Sequence, residues 1–200
     1  MVKRHSLHQH SKTGDSRGQA LVEFSMIVLA FITLLMGVIE FGLAFNAKLQ
    51  TSFASRDAAV AAAESGGTPN TADGAILNTI DRDINTPLQR AYIDHVDVYW
   101  ANADGSVHAG AIERYTPGGS LYPGWGGWTK TLDLYPGPIR CAFISGCAGS
   151  PAHPGPDRMA VLIAYRYSWT TPLPNLVGLF GTGVTFVQTN LVTMEPIPNT

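Results

Sequence analysis

Polar and basic residues fill the chain up to Gly18, and beyond it the character changes. From Phe24 to Ile39 there is no charge and little polarity, and after Glu40 the run resumes as Phe41-Gly42-Leu43-Ala44-Phe45. A helix needs about 20 mainly apolar residues to cross a bilayer. Residues 20–45 supply them, with Glu23 and Glu40 near the two ends. A core helix of a soluble protein is the rival reading, but such helices are usually shorter and show a polar face. This run is apolar all round. The helical pattern then continues without a breaker to Ser65. Ala54, Ala58 and Ala62 share one face, and Leu49, Phe53 and Val60 line an adjacent strip. Gly66-Gly67-Thr68-Pro69 stops it. A single rod over residues 20–65 would be about 69 Å long. The alanine face reads as a packing seam, against the chain's own head or a neighbouring rod. Alanine's helix propensity alone is an equally good account.

Downstream the period is helical once more, then changes to two. Ile76, Leu77, Ile80, Ile84 and Leu88 predict a helix over 71–88, with Thr71 as N-cap, Asp73 in the first turn and Pro87 at the end. Residues 92–101 alternate as a strand: Tyr92, Val96, Val98 and Trp100 on one side, His95, Asp97 and Tyr99 on the other. Asp104-Gly105 is a tight-turn signal, and residues 107–114 form the return strand. From Thr116 to Pro156 glycine and proline crowd the chain and predict a long loop that carries Tyr122, Trp125, Trp128 and Tyr135. Those aromatics either pin the loop onto the sheet or form a contact surface for a protein or glycan. Residues 158–170 read as a strong strand broken by Thr171-Pro172-Leu173-Pro174. Residues 176–180 are an apolar connector, and residues 184–194 a last strand. The fold class is α+β: a long transmembrane helix continuing into a juxtamembrane helix, then a small head with a mainly antiparallel sheet.

The totals sharpen this picture. The 200 residues suffice for one domain and an anchor, and the net charge of −2 gives no case for nucleic-acid binding. Charged residues are 14% of the chain, against a norm of about 25%, as a membrane segment and a Gly/Pro-rich loop require. Lys3, Arg4, Lys12 and Arg17 precede the apolar run, whereas Lys48 and Arg56 are followed by Asp57 and Glu64. The positive-inside rule therefore puts the N-terminus in the cytoplasm and the head outside. A cleaved secretory signal fits poorly, because the run is too long and no small-x-small site closes it. The organisation is a basic leader 1–18, a transmembrane helix 19–45, a juxtamembrane helix 46–67, and an extracytoplasmic head 68–200 with its Gly/Pro-rich loop at 116–157. In that compartment Cys141 and Cys147, six apart, are expected to form a disulfide; free thiols are the alternative.

The chain offers no catalytic constellation, and no enzyme activity, cofactor or metal is expected. His5, His8 and His10 lie in the leader, where a solvated tail is the simpler reading. His95, His108 and His153 are scattered, without cysteine or carboxylate at ligand spacing. Asp81 and Asp83 sit two apart on a helix and read as a solvated face. No nucleophile elbow, P-loop or dinucleotide fingerprint occurs.

Arg17-Gly18-Gln19-Ala20-Leu21-Val22-Glu23-Phe24, followed by an apolar run closing with Gly37-Val38-Ile39-Glu40-Phe41-Gly42, resembles the TadE-like family. These are pseudopilins of the tight-adherence, Flp-type pilus system. The segment Ser55-Arg56-Asp57-Ala58-Ala59 resembles that family's juxtamembrane pattern. The resemblance is strong over about the first 65 residues and loose beyond. It implies a pilin-like head and processing after Gly18 by a prepilin peptidase that reads Gly18, Gln19, Glu23 and Phe24. It also implies a role in assembling an adhesive pilus. The partners implied are other pilus subunits, the assembly machinery and the lipid bilayer. Glu23, Glu40, Ala54, Ala58 and Ala62 are then the expected subunit-packing residues. A carboxylate carried into an apolar filament core needs a counter-charge, such as a neighbour's α-amine. The competing function is a single-pass envelope protein whose head binds a protein or glycan.

Overall fold

The structure is a computed structural model that describes residues 15–65, 71–84, 92–118, 127–148, 152–171 and 182–196. Helix α1, Asp15–Ser65, is one unbroken rod of 51 residues, about 77 Å long. Helix α2, Ala72–Asp83, follows. The five strands are β1 (Ile93–Ala101), β2 (Val107–Pro117), β3 (Trp128–Asp133), β4 (Arg158–Ser168) and β5 (Gly183–Thr193). They form a single antiparallel sheet in the order β3-β2-β1-β4-β5. The molecule is α+β with a sheet-rich head, as its pattern predicts.

Both helices pack on one face of the sheet. From the middle of α1 onward the buried positions are Glu40, Ala44, Ala47, Thr51, Ala54, Ser55, Ala58, Ala59, Ala62 and Ala63. Their steps of three and four draw one stripe down the helix. Small side chains let the helix axis come close to α2, β4 and β5. Ser55 Oγ donates to the Val161 carbonyl at 2.8 Å and accepts from Asn190 Nδ2 at 3.1 Å, so the seam is bonded as well as packed. Behind it lie Ile76, Leu77 and Ile80 of α2 and Val96, Val98, Val161 and Ile163 of the sheet, all fully buried. At the far end of α1 the Glu195 N–H bonds the Ala63 carbonyl, one of the last acceptors left open by the helix.

The structure amends several expectations. Helix α1 starts at Asp15, so Gly18 lies inside the helix and not at its boundary. The head already grips α1 at Glu40, so the helix is uncovered on every side only over 21–39, while Phe41 and Phe45 stay exposed beside the gripped face. Helix α2 ends at Asp83; Ile84 has ψ 84°, and its N–H closes on the Ile80 carbonyl. Residues just before a proline leave the helical region, and Pro87 lies three beyond Ile84. Leu88 lies outside the described residues. Thr71 stands at the N-cap position but makes no side-chain cap; only its carbonyl is used, by Ala75 N–H.

The expected long loop holds strand β3 and a 3₁₀ turn at Gly137–Ile139. Trp128 and Tyr135 are fully buried, which pins the segment to the core, while Tyr122 and Trp125 lie outside the described residues. Strand β1 is buried on both faces, with Val96, Val98 and Trp100 on one of them. On the other face Tyr99 and Ala101 are buried beside Ile112, Ala160 and Leu162 of the flanking strands, and buried Asp97 pairs with Arg114. The β1–β2 turn is built as read: Gly105 takes φ 84°, and Asp104 accepts from Ser106 N–H at 3.0 Å.

Candidate functional site

The first group of expected site residues stands on the free end of α1. Gly18 has no neighbour within 4 Å of where a Cβ would stand. Gln19 Nε2 donates to Glu23 Oε1 at 3.0 Å, one helical turn on, and both are exposed. From Leu21 to Ile39 the large apolar side chains face outward, Phe24 at 65% exposure and Leu29 at 69%. The helix is long and apolar enough to span a membrane. Nothing else in the described chain covers this stretch, so its apolar surface calls for hydrocarbon or other helices. Phe24 is part of that surface.

The second group is the junction where α1 meets the head. Glu40 is buried, and its carboxylate accepts three bonds: Tyr167 O–H at 2.9 Å, Thr170 N–H at 2.9 Å and Thr171 N–H at 2.7 Å. Those two amides follow the end of β4, where the ladder no longer pairs them. Glu40 therefore ties the rod to its own head. Ala54, Ala58 and Ala62 are likewise fully buried within the chain, in the seam described above. Of the five residues expected to pack subunits, only Glu23 remains exposed.

The third group was not foreseen. Arg140, held by the segment after the 3₁₀ turn, puts one nitrogen 2.6 Å from Asp73 of α2 and 2.6 Å from Glu113 of β2. Lys130 of β3 lies 2.9 Å from Glu113, 3.4 Å from Asp73 and 3.2 Å from Asp133. Tyr115 O–H donates to Glu113 at 2.7 Å. Burial drives the Glu113 carboxyl up to about 7, with Arg140 pulling it down and Asp73 pushing it up. The same two acids, against burial, hold the Arg140 guanidinium above its ordinary value. This cluster clamps α2 to the edge of the sheet. Asp81, expected on a solvated face, accepts from the buried Trp128 indole at 3.2 Å. Asp83 pairs with the neighbouring Arg82 at 2.8 Å.

Beside the clamp, Cys141 and Cys147 are joined in a disulfide. Asp157 organises the surroundings: one oxygen accepts from Tyr135 O–H at 2.6 Å and Cys141 N–H at 2.8 Å, the other meets His153 Nδ1 at 2.5 Å. His153 thus has a carboxylate four residues on, which the sequence reading overlooked. It stacks on Trp100, with ring centroids 4.1 Å apart. Trp100, Tyr135, Phe143, Arg140 and His153 are among the walls of a cavity of about 550 Å³. Among the described residues no group of three or more His, Cys, Asp or Glu could hold a metal. His5, His8 and His10 lie outside the described residues.

The described molecule is thus a helix of membrane-spanning length and composition, locked by Glu40 and an alanine seam to an α+β head. Over residues 18–60 it matches the model of the TadE-like protein family. That match covers α1 from Gly18 to Val60, the free apolar length and most of the seam. No curated protein and no solved structure matches the chain.

Proposed function

We propose that this protein is a membrane-anchored pseudopilin or minor pilin of a tight-adherence pilus. Its work is assembly and not catalysis. The observation that carries the reading is the TadE-like match beginning at Gly18, on a helix whose large apolar residues from Leu21 to Ile39 are left exposed by the rest of the described chain. Such a surface suits two successive surroundings, the bilayer and then the packed helices of a filament. The basic leader stays in the cytoplasm and the head lies outside. A prepilin peptidase cuts between Gly18 and Gln19, unwinding the first turn of α1 to reach that bond; a residue without Cβ lets the backbone enter closely. The new α-amine then meets Glu23 of a neighbouring subunit, which lowers the cost of carrying a carboxylate into an apolar setting.

N-terminal sequencing and intact mass of protein purified from native membranes test this. A start at Gln19 is expected, and an intact leader would overturn the processing step. Glu23→Ala should insert as well as wild type while losing co-purification with pilus subunits. Unchanged recovery of those subunits would count against the pairing role.

A second reading has its own support in the cavity walled by Trp100, Tyr135 and Phe143. On that reading the head recognises a protein or glycan through aromatic contact. Trp100→Ala protein that keeps full adhesion would dismiss it.

A further inference from the structure

A groove runs between α1 and the adjoining ends of β4 and β5, lined by Phe41, Ala44, Phe45, Trp169, Val184 and Phe186, with Lys48 at its upper end. Its volume is about 250 Å³ and its lining is almost wholly apolar. We propose that it seats the acyl chain of an anionic phospholipid of the head-side leaflet, with Lys48 against the lipid phosphate. The inference rests on the membrane-spanning reading of α1.

Height along the helix comes first. The unpacked apolar length 21–39 spans about 28 Å, close to the roughly 30 Å hydrocarbon thickness. Phe41 and Phe45 then stand about 3–9 Å beyond Ile39, at the level of the lipid glycerol and headgroups. Both are more than half exposed, and they continue the apolar surface of the spanning length without a gap. Lys48 sits about 14 Å beyond Ile39, but a helical side chain tilts toward the N-terminus, here toward the membrane. A lysine can lay its stem along the groove and place its ammonium among phosphates.

Charge complementarity comes second. Lys48 makes no ion pair with any described residue. The nearest carboxylate down its own helix, Glu40, is committed to Tyr167, Thr170 and Thr171. Trp169, packed edge-on to Tyr167 with ring centroids 5.7 Å apart, is of the residue type that settles at the membrane interface.

The full-length protein, reconstituted in vesicles, tests the proposal through Trp169 fluorescence. Carbonate-resistant flotation first reports whether α1 spans; failure to float removes the spanning reading and this inference with it. In protein that floats, phosphatidylglycerol brominated on its acyl chains should quench a component of the emission that Trp169→Phe abolishes. Floating protein whose quenching is the same with and without Trp169 would refute the groove while leaving the anchor intact. Brominated phosphatidylglycerol should compete about fivefold better than brominated phosphatidylcholine for wild type. Lys48→Glu, on an exposed position, should erase that preference. A preference that survives Lys48→Glu, or is absent in wild type, would overturn the phosphate contact.

Discussion

At the scale of single residues, two buried carboxylates hold the head together by opposite means. Glu40 is satisfied by a phenol and two backbone amides. Truncation leaves the Thr170 and Thr171 amides without their acceptor in a partly buried place. Glu40→Ala should therefore destabilise the head by about 1–3 kcal/mol. Glu40→Gln, which keeps one acceptor oxygen, should cost less; urea unfolding of the detergent-solubilised protein measures both. Glu113 is held by Arg140, Lys130 and Tyr115, yet burial raises its carboxyl to about 7. A carboxyl raised on folding binds more protons in the native state than in the unfolded one between pH 4.5 and about 7. Stability should accordingly fall as pH rises through that window and level off above it. The depressed carboxyl of Asp133, lowered by its Glu113 and Lys130 contacts against burial, titrates below the window and adds no opposing slope within it. Melting temperature followed from pH 4.5 to 8 should show the decline in wild type and not in Glu113→Gln. A flat wild-type profile would contradict the raised carboxyl.

At the scale of elements, α1 does two jobs with two compositions. Its first part shows large apolar residues on every side; its second shows alanine, serine and threonine on one side only. Ala58 is fully buried in that seam. Ala58→Leu must push the helix off the sheet and should cost about 1–3 kcal/mol. Val60→Leu, on the exposed side, should stay within about 0.5 kcal/mol. Equal effects from the two, by thermal unfolding, would place the seam elsewhere. The alanine periodicity was plain in the chain, but not what it faced: the same stripe serves an intramolecular or an intermolecular contact. Strand β3 was hidden by the glycines and prolines around it. Its signal was the alternation Trp128, Lys130, Leu132 with threonines between.

At the scale of the molecule, the anchor and the head form one unit through Glu40 and the seam, so a bilayer around 21–39 constrains where the head can lie. On the proposed orientation, with the leader in the cytoplasm, protease added to right-side-out spheroplasts should digest the head and leave a membrane-protected fragment containing residues 21–39. Inverted vesicles should protect the head. The opposite pattern would reverse the topology.

What the sequence determined by itself was local: the apolar run, the helical and alternating periods, the Gly18–Phe24 motif and its family resemblance. These are legible because hydrophobic spacing and turn chemistry act between near neighbours. The extent of the free helix, the assignment of Glu40 to the head and the Asp73–Glu113–Lys130–Arg140 clamp were decided only by tertiary structure. Arg140 meets Asp73 across 67 residues, and Glu40 meets Tyr167 across 127. Nothing in local spacing marks such partners. They become partners when the sheet closes, because a charge taken out of water must find its complement wherever the fold has brought one.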